Sequence, residues 1–144
     1  LFGHVESREH RIDHLLRLYH QQEKSGGFNA FIPLVYQKEN NYLKVENFLS
    51  GQEILKTISI ARILLTNNPH IKAYWATLGI NLALVAQEFG ADDIDGTIQK
   101  EAIQSASGSK SANGIPKQEL IAQIKNAGFI AVERDSLYNE LRIH

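Results

Sequence analysis

Apolar and polar residues alternate along HIKAYW, with His70, Lys72 and Tyr74 pointing one way and Ile71, Ala73 and Trp75 the other. This predicts a strand with one wet face and one apolar face. The period then changes: Leu82, Val85, Ala86 and Phe89 fall at i, i+3, i+4 and i+7, and Gly90 follows as a stop. A short amphipathic helix is expected there, followed by a strand over Asp92 to Thr97. Strand, helix and strand within about thirty residues predict a βαβ unit with parallel strands and a right-handed crossover.

Similar punctuation runs through the rest of the chain. Leu1 to Val5 is short and apolar, and Ser7 is placed to cap a helix that carries Ile12, Leu15, Leu16 and Tyr19 on one face and ends at Gly26 and Gly27. Phe28 to Tyr36 predicts a second strand, whose pairing should stop near Ile32 because Pro33 has no amide proton. After a polar loop, Ser50 and Glu53 suggest a capping box before a helix with Ile54, Ile58, Ala61 and Leu65 buried, closed by Asn67, Asn68 and Pro69. Lys100 to Ser105 is expected to form a brief helix. Residues 105–114, SASGSKSANG, carry nothing more apolar than alanine and read as a flexible loop. Pro116 opens a last helix with a stripe of Leu120, Ile121, Ile124 and Ala127, and Gly128 ends it. Residues 129–144 read as a carboxy-terminal tail, extended at first and then charged at Glu133, Arg134 and Asp135.

Strand and helix pairs in series predict an α/β fold with a parallel sheet, in one domain over residues 1–144. A four-stranded parallel sheet of this kind leaves two unpaired edges, whereas eight strands close on themselves. The expected architecture is therefore a parallel (βα)4 half of a TIM-type (βα)8 barrel. A hydrophobic content of 43% is enough for a single core. With 15 Lys plus Arg against 16 Asp plus Glu, the net charge of -1 argues against nucleic acid as a partner. No apolar run approaches the roughly 20 residues that cross a bilayer, so the expectation is a cytoplasmic protein without a membrane partner. The absence of cysteine excludes disulfides, thiolate metal sites and a cysteine nucleophile. The chain begins at Leu1 and contains no methionine, so it reads as processed or as part of something longer.

Five blocks together carry a family resemblance: FGHVES at Phe2 to Ser7, HLLRL with GGFNAFIPL at His14 to Leu34, KTISIAR at Lys56 to Arg62, HIKAYW at His70 to Trp75, and FGADDIDGT at Phe89 to Thr97. VERDSLYN at Val132 to Asn139 adds to them. On these the chain resembles the carboxy-terminal half of the radical S-adenosylmethionine (SAM) enzymes of the futalosine route to menaquinone, and within them the aminofutalosine synthases. The dehypoxanthine futalosine cyclases look similar, but they usually place asparagine where Asp92 stands and differ at HIKAYW. VYQKENN departs from the usual aromatic, histidine and proline run after the second strand.

The resemblance implies a barrel holding a 4Fe-4S cluster on a CxxxCxxC loop in a missing amino-terminal half-barrel. It also implies a full-length enzyme that adds the 5'-deoxyadenosyl radical from SAM to 3-[(1-carboxyvinyl)oxy]benzoate, giving aminofutalosine. Without cysteines the fragment alone is expected to be inactive. A different class of reading remains open: a non-catalytic half-barrel module that self-associates or swaps domains through its open edges.

Gly3 and Glu6 match the end of the GxIxGxxE pattern that lies along the adenine of SAM in related enzymes; the alternative is a turn glycine and a helix-leading acid. Lys72, beside His70, could offer a compact cation to a substrate carboxylate, or could snorkel to the rim. Asp93, Asp95 and Thr97 are spaced two apart and should share one face, ready to hold ligand hydroxyls or an amino group. Asp92 should point the other way, to solvent or a helix. Arg134 could fold over the mouth onto a substrate carboxylate, or lie on the surface between Glu133 and Asp135. No residue is assigned to catalysis. His10 and His14 share i, i+4 spacing without an HExxH motif, so no metal site is expected.

Overall fold

The computed structural model describes residues 1–38, 41–45, 49–98 and 114–144. Within it, short extended segments lie side by side in chain order. Phe2 bridges to Val35, β1 (Ala30–Phe31) pairs with β2 (His70–Ile71), and Lys72 bridges to Asp93, all in parallel. The ladder is visible in the main-chain bonds Phe2 N to Leu34 O at 2.9 Å, Lys72 N to Phe31 O at 2.9 Å and Ala73 N to Asp93 O at 2.7 Å. Pairing does not stop at Pro33 as expected. Residues before the proline pair with β2, while Leu34 and Tyr36 beyond it bond to Phe2, so one segment serves both neighbours.

Helix α1 (Arg8–Ser25) starts where Ser7 Oγ accepts from His10 N, and His10 Nδ1 accepts from Ser7 N at 3.2 Å. This is a reciprocal cap in which imidazole takes the place usual for glutamate or glutamine. Gly26, at φ 59, ends the helix by donating its N–H to Gln22 O at 2.8 Å. Helix α2 (Gly51–Leu64) is capped by Ser50, but the carboxylate of Glu53 goes to Arg8 Nη2 at 2.7 Å. Ile58 and Leu65 from this region share one core with Ile71 and Trp75, all fully buried. Buried Gln22 ties the layers together, bonding to Phe28 N and O and to Asn67 O.

The helix expected from Leu82 to Phe89 begins earlier. It is broken into α3 (Trp75–Leu78), α4 (Ile80–Val85) and a single 3-10 turn at Ala86–Phe89, with Gly79 at φ 78 between the first two. Trp75 therefore opens a helix, and its indole N–H reaches Gly96 O at 2.9 Å. Helix α5 (Lys117–Asn126) follows Pro116 and buries Leu120, while Ala127 stays exposed. The brief helix expected at Lys100 to Ser105, and all but Gly114 of the expected flexible loop, lie outside the described residues.

The tail is not a plain extended end. β3 (Val132–Arg134) pairs antiparallel with β4 (Glu140–Ile143). The turn is built by Asp135, whose Oδ1 accepts from Leu137 N and Asn139 N at 2.8 and 2.9 Å. No described helix is long and apolar enough to cross a membrane.

Candidate functional site

The parallel bridge between Lys72 and Asp93 sets two charged side chains beside each other, and the hairpin brings Arg134 and Tyr138 onto them. Asp93 is the hub. Its Oδ2 accepts from Arg134 Nε at 2.9 Å, Arg134 Nη2 at 2.5 Å and the Tyr138 hydroxyl at 2.7 Å. Its Oδ1 accepts from Asp95 N at 2.6 Å. Lys72 Nζ stands 3.8 Å from Asp93 Oδ2 and 3.3 Å from Asp95 Oδ1. The cluster is balanced, two cations against two carboxylates.

Burial works against the charged form of Asp93. The Tyr138 hydroxyl, the Asp95 amide and the charges of Lys72 and Arg134 outweigh it and hold the carboxyl below its usual range. The reverse side of the same pairing raises Arg134, where Asp93 more than offsets the effect of burial. Tyr138 is pushed up by burial and by the hydrogen bond and charge of Asp93. At neutral pH the group is carboxylate, guanidinium and phenol.

His70 joins the site through Tyr138, with ring centroids 3.8 Å apart and planes 8° apart. Arg134 Cζ lies 4.1 Å from the Tyr138 centroid. Two planar groups this close cannot share one face of a ring, so the phenol is held between imidazole and guanidinium. Asp92 turns the other way, toward α2, where it accepts from Arg62 Nη2, Ile71 N and His70 Nδ1, each at 2.7 Å.

Of the other candidates, Asp95 joins Lys72 but with φ 75, so the extended backbone stops at Ile94. The two-residue spacing therefore does not carry on to Thr97, which is exposed beyond the turn. Gly3 and Glu6 sit two segments away along the parallel order. Gly3 has φ 86, a left-handed backbone that favours glycine, and a Cβ there would run into the Leu49 side chain, so local geometry already accounts for the glycine. Glu6 accepts from Gly3 N at 2.6 Å, His4 N at 2.9 Å and Arg11 Nε at 2.7 Å. Burial alone would raise its pKa, but these bonds bring it down to about 2. Glu6 and Arg11 line a cavity of about 220 Å³ together with Phe2, His14, Phe31 and Pro33.

Tyr138 escaped the sequence reading. The available signal was DSLYN, where Asp135 and Asn139 can close a turn, placing Tyr138 near Arg134. Among the described residues no group of three or more His, Cys, Asp or Glu could hold a metal ion.

A family model described as the CofH/MqnC C-terminal region matches residues 25–144. The chain belongs to this family. Among curated relatives it is 45% identical to aminodeoxyfutalosine synthase of Thermus thermophilus, over 99% of this chain and 40% of that protein. It is 36% identical to cyclic dehypoxanthine futalosine synthase of Streptomyces coelicolor, over 100% of this chain and 36% of the relative. It is 39% identical to 5-amino-6-(D-ribitylamino)uracil--L-tyrosine 4-hydroxyphenyl transferase of Archaeoglobus fulgidus, over 98% of this chain and 42% of the relative. The chain thus spans well under half the length of these proteins, and it is similar along nearly all of its own length to relatives with three different activities in their names.

Proposed function

We propose that the chain is the carboxy-terminal (βα)4 half-barrel of an aminofutalosine (aminodeoxyfutalosine) synthase, a cytoplasmic radical SAM transferase of menaquinone biosynthesis. The observation that carries this is 45% identity across 99% of the chain to a protein of that name. Parallel pairing in chain order, with helices following the extended segments, supports half of a TIM-type barrel. In this reading the whole enzyme uses SAM and 3-[(1-carboxyvinyl)oxy]benzoate to make aminofutalosine.

A 4Fe-4S cluster does not fit this chain, because such clusters need thiolate ligands and it has no cysteine. The cluster would belong to an amino-terminal half-barrel partner, and the 144-residue piece alone would be inactive. Lys72, Asp93, Asp95 and Arg134, with His70 behind them and Thr97 beyond the turn, would form one wall of the small-molecule substrate pocket. Gly3 and Glu6 would border the nucleoside end, with Glu6 shaping the turn through its own bonds.

The test is a product assay on reconstituted full-length protein carrying this segment. Formation of aminofutalosine is expected. A cyclised dehypoxanthine futalosine product would favour the cyclase instead, a reading that has 36% identity in its support. No product from a protein with an intact cluster would overturn both.

A further inference from the structure

We propose that Tyr138 is a positioning residue that acts through Asp93, leaving Lys72 and Asp95 as the pair that faces a ligand bearing a carboxylate beside a hydroxyl or amino donor. The inference deepens the substrate-pocket reading above and rests on it. Asp93 has little left to offer a ligand. One oxygen takes both Arg134 nitrogens and the phenol, the other takes the Asp95 amide, and its side chain is 8% exposed. The Asp95 amide bond sets a left-handed turn, a conformation that aspartate enters more readily than most residues with a side chain.

That turn delivers Asp95 Oδ1 to 3.3 Å from Lys72 Nζ, with the Asp95 side chain 31% exposed. Neither Lys72 distance is as short as an ordinary hydrogen bond, so the ammonium is held by charge rather than locked. The Lys72 side chain keeps 11% of its surface exposed, beside the 31% of Asp95, which is where a ligand carboxylate would meet the ammonium while its neighbouring O–H or N–H donates to Asp95. Arg134 is held mainly by Asp93, by the Asp135 carbonyl and over the face of Tyr138, and its Nη2 is farther from Asp95 Oδ1, at 3.7 Å, than Lys72 is. The phenol, clamped between His70 and Arg134, supplies a bond to Asp93 that orders this arrangement without touching the ligand.

The experiment measures binding of mandelate, an aromatic acid whose hydroxyl stands beside its carboxylate, to the full-length protein by calorimetry across pH. Tyr138→Phe keeps the ring between its neighbours and removes one hydrogen bond to a charged acceptor, so binding should weaken by about tenfold to a hundredfold. The acid limb of binding should also move to higher pH, because Asp93, facing Lys72, Asp95, Arg134 and the phenol with His70 and Asp92 behind it, loses a bond that favours its charged form. Lys72→Ala should abolish binding. Lys117→Ala, which removes an exposed ion pair between α5 and the hairpin at Glu133, at 2.7 Å, and leaves Asp93 and its partners in place, should leave binding unchanged.

If Tyr138→Phe fails to fold, Arg134→Lys is read in its place, since it leaves the phenol and loosens the same grip on Asp93. Wild-type protein that does not bind the probe, a Tyr138→Phe curve superimposed on wild type, or an equal loss in Lys117→Ala each overturns the inference. Aminofutalosine formation is assayed on the same preparation. A lack of product there counts against the proposed function alone, because the binding curves still judge Tyr138.

Discussion

A carboxylate that accepts two main-chain N–H bonds and an arginine is hard to protonate, and Glu6 is in that position. Its pKa falls from 4.5 to about 2 on folding. Because the folded value is the lower one, Glu6 contributes stability that is fully present above pH 4.5 and is lost as pH falls toward about 2. Urea midpoints measured through that window should drop more steeply for the wild type than for Glu6→Gln, which starts lower and has no proton to gain. Parallel curves would refute the assignment. Gly90 makes a different demand. It sits at φ 100, a Cβ there would lie 2.8 Å from Arg62 Cβ, and its carbonyl accepts from Arg62 Nε at 2.7 Å. Gly90→Ala should therefore destabilise the chain by roughly 1–2 kcal/mol, read from chemical denaturation. It should also loosen Arg62 from Asp92.

The elements differ in how they specify themselves, and that decides how much could be read in advance. Helices α1, α2 and α5 carry their own start signals at Ser7, Ser50 and Pro116 and were legible within a residue or two. The parallel order was legible from alternation at His70 to Trp75, and Asp92 was correctly expected to leave the face of Asp93. The carboxy-terminal hairpin was not. Its strands carry no strong alternation, and its docking depends on Arg134 and Tyr138 meeting Asp93 some forty residues earlier, a contact no local pattern encodes. The break of the third helix at Gly79 was missed for a similar reason, since burial of Trp75 overrides the strand pattern. The hairpin turn gives an element-scale prediction. Asp135 accepts three bonds from Leu137 and Asn139, so Asp135→Ala should raise amide exchange across β3 and β4 while leaving α2 protected. Uniform exchange throughout the chain would show that the hairpin does not open as a unit.

For the molecule as a whole, the parallel array stops at Phe2 on one side and at Asp93 on the other, and among the described residues nothing pairs beyond either. Unpaired edge amides and carbonyls are templates for another strand. Leu1 and Val5, at 69% and 72% exposure, flank the Phe2 edge with apolar surface that a partner could cover. In the half-barrel reading that partner is the amino-terminal half, and without it a second copy can supply the strand. The isolated 144-residue chain should therefore associate with itself at micromolar concentration. Sedimentation velocity should show a dimer or larger species whose population rises with loading. Val5→Lys places a charge where a neighbouring strand would have to bury it, and should shift the chain toward monomer with little change in its denaturation midpoint. If the unmodified chain sediments as a single monomer across that range, the edges are not acting as templates and the half-barrel interpretation loses its structural support.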